Sequence, residues 1–166
     1  MSAYRTYWKA YGGTRAFVRS RYLYIAFAFC LSTPGLWKYR DEADEFVWID
    51  TAVSILPSMI AFSLGSLAII LAISSGSFLR SVQENGSDGS FFMKMVAAFF
   101  HFLLSKFVAL LFSLFLMNWQ HIQSDVITVV SFFGYWAVVY AILTGLAALA
   151  ILVNMAELKN KADDLD

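Results

Sequence analysis

The stretch VITVVSFFGYWAVVYAILTGLAALAILV, residues 126–153, contains no charged side chain. A bilayer hydrocarbon core about 30 Å thick needs roughly 20 apolar residues in helical form, so this stretch is long enough to cross a membrane. Residues 51–73 are also uncharged, and residues 91–117 carry only Lys94 and Lys106. These three stretches predict an all-α, polytopic transmembrane helix bundle.

Composition supports the same fold class. Apolar residues make up 60% of the chain and charged residues 14%, whereas ordinary soluble domains have roughly 45–50% and 25%. Most of the charge lies in short patches between the long apolar runs. The formal net charge is zero, which gives no overall bias toward nucleic acid or acidic partners.

A fourth, shorter apolar stretch covers residues 22–37 and contains Pro34-Gly35. It would be a full span, a half-span or an interfacial helix. Lysine and arginine concentrate on the cytoplasmic side of membrane proteins. Four spans with both termini inside give a stronger excess of these residues on the inner side than three spans do. The outer loops then hold Lys38 and Arg40, and the inner segments hold Arg5, Lys9, Arg15, Arg19, Arg21, Arg80, Lys94, Lys159 and Lys161. We therefore predict four spans.

This topology divides the chain into three parts. Residues 1–21 form a cytoplasmic N-terminal segment, residues 22–153 the transmembrane domain, and residues 154–166 a cytoplasmic tail. The inner loop, residues 76–90, is rich in glycine and serine, which predicts a turn or flexible connection. The pattern places the protein in a membrane.

Small residues recur every three or four positions along the second span. Helices associate in lipid through close approach at small side chains, so this stripe predicts a packing surface within one protomer or between copies in a homo-oligomer. The fourth span repeats the theme. The residues assigned to helix packing are Ser58, Ala61, Gly65, Ala68 and Gly145.

Polar residues form a stripe along one face of the third span. His101, Ser105, Lys106 and Ser113 fall within an arc of about 140° on the helix, at about 100° per residue. A charge at the bilayer centre costs about 2.5–3.5 kcal/mol on insertion scales. We therefore predict that the stripe lines a polar path or cavity. The alternatives are that Lys106 extends to the headgroups and that His101 is a packing residue.

The N-terminal segment interleaves cations with aromatic rings. An amphipathic helix lying on anionic lipid is the simplest interpretation, and Gly12-Gly13 would break or hinge it. The alternative is a binding surface for a nucleotide or oligonucleotide, since arginines hold phosphates and rings stack on bases. The residues assigned to ligand or lipid binding are Arg5, Tyr7, Trp8, Lys9, Arg15, Arg19 and Arg21.

Motifs for catalysis or metal binding are missing from the sequence. It has no H-E-x-x-H, no C-x-x-C and no paired carboxylates within a span, so we expect no enzyme activity, no cofactor and no metal site. His101 and His121 alone do not match a metal-ligand spacing.

The run ILPSMIAFSLG, residues 55–65, resembles a motif of small, uncharacterised bacterial inner-membrane proteins. In that motif Leu-Pro is followed by Gly-Phe-x-Leu-Gly, and Ala61 replaces the first glycine here. Some of these proteins resemble effectors of bacterial defence modules, which depolarise or arrest the cell. The resemblance covers about one span. It implies a four-span protein of the bacterial inner membrane, with an effector role as one expectation.

Three functional hypotheses follow. The first is an oligomeric membrane effector or channel-like protein of an anti-phage defence system, gated at its cytoplasmic face by an anionic ligand or by lipid. The second is a non-catalytic accessory or anchor subunit that binds a protein partner at the cytoplasmic face. The third is a small-molecule exporter, which is disfavoured because no acidic residue lies within a span to couple protons.

Overall fold

The computed structural model describes residues 3–73, 90–122 and 124–163. The inner loop, residues 76–90, lies outside the described residues except for Ser90, and so does the end of the tail. Within the described ranges the chain is helical apart from short connections. The helices are α1 (Ala3–Tyr11), α2 (Gly13–Val18), α3 (Arg21–Ser32), α4 (Pro34–Lys38), α5 (Val47–Ile73), α6 (Phe91–Trp119) and α7 (Asp125–Asp163).

Three helices, α5, α6 and α7, are long and apolar enough to cross a membrane. This agrees with the three uncharged or nearly uncharged stretches of the sequence. The α7 helix has 39 residues and continues ten residues past the predicted end of its span. At 1.5 Å per residue it is about 58 Å long, so it must extend well beyond a hydrocarbon core of about 30 Å.

The stretch predicted as the first span is divided into two helices. The α3 helix has 12 residues and is about 18 Å long. It stops before Thr33-Pro34, because proline disfavours helical backbone at the residue that precedes it. The α4 helix then begins with Pro34 at its first position, where the missing N–H costs nothing.

Packing runs from one helix to the next. The α6 helix packs on α5 along one side and on α7 along another, α3 and α4 pack on α7, and α1 packs on α6. One apolar core includes Trp48, Leu56, Ala109, Leu116 and Ala141, and a smaller one joins α6 and α7 near the other end of the bundle. The α6 helix thus lies at the centre of the fold.

Side-chain hydrogen bonds close the end of the bundle that carries the first loop. The Arg40 guanidinium donates to the backbone oxygen of Gln120 at 2.7 Å, and the Gln120 side-chain oxygen accepts from Phe46 N at 3.1 Å. Trp48 Nε1 donates to Ser131 Oγ, which in turn donates to the backbone oxygen of Trp37. These bonds fix the loop between α4 and α5 against α6 and α7.

Candidate functional site

A buried histidine connects the N-terminal segment to two long helices. A hydrogen bond of 2.8 Å joins Tyr7 Oη of α1 to His101 Nδ1 of α6, and one of 2.7 Å joins His101 Nε2 to Tyr140 Oη of α7. In a neutral imidazole one ring nitrogen donates and the other accepts. One tyrosine therefore donates to the ring and the other accepts from it, so both ring nitrogens of His101 are satisfied.

Aromatic rings enclose this histidine. The Tyr11 ring lies nearly parallel to the His101 ring, with centroids 4.1 Å apart, and the Phe17 ring presents its edge at 5.9 Å. We name these five residues, Tyr7, Tyr11, Phe17, His101 and Tyr140, the His101 cluster. Because α1, α2, α6 and α7 all contribute to it, the cluster holds the N-terminal segment against the bundle.

The α1 helix has two distinct faces. Tyr7 is buried against α6, whereas Arg5 and Lys9 are exposed. Burial, with a smaller effect from neighbouring tyrosines, raises the pKa of Tyr7 to about 12, so its phenol stays neutral near physiological pH. The aromatic residues of α1 contact the bundle or one another, and Arg5 lies on its exposed face.

The second half of the N-terminal segment also has exposed cations. Gly12 has φ 98° and separates α1 from α2, as the sequence predicted, because glycine adopts this left-handed conformation without a steric cost. Arg15, Arg19 and Arg21 are exposed. The first acidic residue of the chain is Asp41. The predicted ligand- or lipid-binding cations thus share one exposed, wholly basic segment.

Lys106 lies on a different side of α6 from His101 and faces α5. It is fully buried, its Nζ donates to Ser63 Oγ at 2.6 Å, and the ammonium lies over the Phe102 ring. Among the described residues, no carboxylate forms an ion pair with it. A buried charge without an opposite charge costs several kcal/mol, and only one hydroxyl and one aromatic face offset that cost here.

The two serines of the predicted polar stripe also contact the chain itself. Ser105 Oγ is half-buried, donates to the backbone oxygen of Phe102 and lies 3.2 Å from Thr144 Oγ1. Ser113 is buried and donates to the backbone oxygen of Ala109 in its own helix. The structure therefore turns the stripe toward neighbouring helices of the same protomer, and the pore-lining role stays a prediction.

The small residues assigned to helix packing divide into two groups. Ser58, Ala61, Gly65 and Ala68 of α5 are exposed in the protomer. Gly145 of α7 packs inside it, since a Cβ atom there would lie 3.0 Å from the Phe102 ring. The stripe on α5 is thus an open face, whereas Gly145 permits close approach of α6 and α7.

Three polar partners were not singled out from the sequence: Ser63, Tyr140 and Thr144. Each lies in a span without any charge, where serine, threonine and tyrosine are common. The sequence feature that could have identified them is a matching polar residue on another span, because a polar side chain at membrane depth needs a partner on a neighbouring helix. Only the packing of α6 against α5 and α7 shows which partner that is.

Comparison with protein-family models, with curated proteins and with solved structures gives no match. The class of protein therefore rests on the fold and on the site themselves. The fold is all-helical over the described residues, with three helices able to cross a membrane. These features define an α-helical integral membrane protein with a basic N-terminal segment packed on its bundle.

Proposed function

We propose that this protein is a homo-oligomeric, channel-like membrane effector with four spans and both termini in the cytoplasm. Its N-terminal segment senses an anion at the cytoplasmic face, either a nucleotide, an oligonucleotide or a lipid headgroup. The resemblance of residues 55–65 to small bacterial inner-membrane proteins supports a role in that membrane and in anti-phage defence.

The His101 cluster is the observation that carries this proposal. It joins a segment with exposed cations to a polar residue within α6, through hydrogen bonds of 2.8 and 2.7 Å. An anion that binds Arg5 would pull on α1, and α1 is bonded directly to α6. Binding at the surface is thereby coupled to the packing of the two helices that meet at His101.

The packed arrangement corresponds to a closed state in this proposal. Withdrawal of α1 would remove Tyr7 from His101 and leave one ring nitrogen without its partner. An unpaired polar group at membrane depth is costly, so water would enter or α6 would turn toward a wetter environment. Either change would bring His101 and Ser105 toward a hydrated path.

The open face of α5 supports a homo-oligomer. Ser58, Ala61, Gly65 and Ala68 are exposed in one protomer, and a Cβ atom built on Gly65 would meet nothing within 4 Å. In lipid such a face gains most from another helix that approaches closely. A second copy of α5 is the simplest partner, and this pairing of like faces gives a two-fold dimer around a shared path.

Ion flux from liposomes tests the proposal. The purified protein is reconstituted, and flux is measured with and without a short oligonucleotide, a nucleotide or anionic lipid. Tyr7→Phe should open the path without ligand, whereas Tyr4→Phe, in an exposed ring of the same helix, should not. Absence of flux in every ligand state and in Tyr7→Phe would refute the channel.

A second candidate is a non-catalytic accessory or anchor subunit, which the same α5 face favours. A helix of another membrane protein would fit a small-residue face as well as a second copy would. Gly65→Cys, in a Cys30→Ala background, distinguishes the two by oxidative cross-linking in the native membrane. A product of twice the chain mass supports the homo-oligomer, and co-purification of a different, stoichiometric protein without that product supports the accessory subunit.

A further inference from the structure

A cavity of about 370 Å³ lies between α5, α6 and α7, on the opposite side of α6 from the His101 cluster. Its lining is almost entirely apolar and includes Phe62, Phe99, Leu146 and Leu149. Its volume falls at the lower end of the range for small-molecule sites, roughly 300–1,000 Å³. The cavity is thus large enough for one slender apolar ligand.

Among the described residues, Lys106 is the one charged residue in the lining of this cavity. An ammonium has three N–H donors, and within the described residues Lys106 Nζ donates to one acceptor, Ser63 Oγ, and lies over the Phe102 ring. No carboxylate among the described residues pairs with it. The cavity therefore combines an apolar wall with a buried cation that lies against Ser63 and Phe102 and lacks an opposite charge from the described residues.

The depth of Lys106 in the membrane decides which kind of anion can reach it. Lys106 is fifteen residues from the start of α6 and thirteen from its end, so it lies about 20 Å from either terminus of the helix. The phosphate of a phospholipid stays at the membrane surface. A single-chain carboxylic acid can enter between helices in its protonated, neutral form, because desolvation favours that form of a weak acid, whereas the phosphodiester of a phospholipid stays ionised.

We propose that this cavity binds a long-chain carboxylic acid, with its alkyl chain along Phe62, Leu146 and Leu149. Its carboxylate meets Lys106 Nζ once the buried Lys106 side chain turns from the Phe102 ring toward the cavity. The carboxylate would supply the missing opposite charge and accept the donors that Ser63 leaves free. The tail would replace lipid or detergent along the apolar wall. This site does not depend on the proposed channel activity, because it needs neither an oligomer nor α1.

Native mass spectrometry of the detergent-purified protein, with oleate as the probe, tests the site. Oleyl alcohol has the same chain without the charge and serves as the matched ligand. A charge-assisted hydrogen bond is worth about 1.5–3 kcal/mol, so we expect oleate to bind about ten to a hundred times more tightly than the alcohol. Lys106→Met should abolish this preference, and Lys106→Arg should retain it.

A blocking variant keeps the test independent of Lys106. Leu146→Trp, at a half-exposed position in the cavity wall, should weaken oleate binding at least tenfold. Leu111→Trp, at a similarly exposed position on α6 away from this cavity, should not. Both variants are near the surface of the protomer, so their folding can be compared by thermal denaturation.

Three outcomes would overturn the proposal. Equal binding of oleate and oleyl alcohol would show a nonspecific apolar groove. Oleate binding that survives both Lys106→Met and Leu146→Trp would place the ligand elsewhere. Tighter, Lys106-dependent binding of dioleoylphosphatidylglycerol would show a phospholipid site in place of one for a single-chain acid. The channel hypothesis is unaffected by any of these, since its test is flux.

Discussion

Replacing Tyr7 with phenylalanine removes one hydroxyl from the His101 cluster and leaves the aromatic ring in place. The lost hydrogen bond, 2.8 Å to His101 Nδ1, is buried. A hydrogen bond contributes about 0.5–1.5 kcal/mol net, and leaving its buried partner unpaired costs about 1–3 kcal/mol. We therefore expect Tyr7→Phe to weaken docking of α1 by about 1–3 kcal/mol, or roughly 5- to 150-fold in the docking equilibrium.

Hydrogen–deuterium exchange in nanodiscs measures this docking. The backbone amides of residues 3–18 should exchange faster in Tyr7→Phe, while those of α6 and α7 should change little. Tyr4→Phe is the matched control, because Tyr4 is 61% exposed on the same helix. Unchanged exchange in Tyr7→Phe, or equal changes in the two variants, would refute a specific latch at His101.

A double-mutant cycle isolates the bond itself. His101→Leu alone should also release α1, because it removes the acceptor or donor for both tyrosines. If the bond couples the two residues, Tyr7→Phe in the His101→Leu background should cost much less than it does alone. Additive effects would mean that ring packing, with Tyr11 at 4.1 Å from the imidazole, holds α1 in place.

Three further predictions concern stability. Gly134→Val should destabilise the bundle by about 1–3 kcal/mol, since its Cβ would lie 2.8 Å from the Trp48 ring; Gly65→Val in the same thermal assay should leave the protomer's stability nearly unchanged. Docking of α1 should hold below pH 10 and weaken as pH rises toward the raised pKa of Tyr7, about 12, because the undocked phenol ionises first. Burial also raises the pKa of Tyr11 on the same helix, so Tyr7→Phe should reduce this dependence and Tyr7→Phe with Tyr11→Phe should remove most of it. Ser131→Ala should cost about 1–3 kcal/mol by leaving Trp48 Nε1 unpaired, as measured by denaturation in detergent.

The membrane helices could be predicted because their signal is local. An apolar run long enough to cross a bilayer has few other folds available, since every backbone polar group must be bonded within the segment. Residues 51–73 and 91–117 therefore correspond closely to α5 and α6. The break at Gly12 was also predictable from a local feature, because glycine readily adopts the left-handed backbone conformation found there.

The first apolar stretch was harder to predict because two local effects oppose each other. Residues 22–37 are apolar enough for a span, but Pro34 ends α3 after Ser32 and begins α4. Hydropathy averages over a window and does not register that break. Whether α3 and α4 together cross the membrane depends on their packing against α7, which no property of the stretch itself determines.

The roles of the polar residues were not predictable from their spacing on α6. Spacing places His101, Ser105 and Lys106 on one broad face, and either water or neighbouring side chains would satisfy such a face. In the structure, Tyr7 and Tyr140 satisfy His101, whereas Ser63 on α5 accepts from Lys106. The deciding partners lie as far as 94 residues away in the chain, so only the fold identifies them.

The distribution of polar and small residues over the bundle argues for an assembly larger than one chain. Most of the hydrogen-bonding side chains of α6 turn inward, where they hold α1, α5 and α7 together. Within the protomer, Gly134 and Gly145 let helices pack closely, and each glycine lies against aromatic rings. The small residues of α5, by contrast, are exposed. They are Ser58, Ala61, Gly65 and Ala68. A neighbouring helix can approach a face of small residues more closely than lipid chains can, and so makes more van der Waals contacts with it. For this reason we expect copies of the protein to meet at α5.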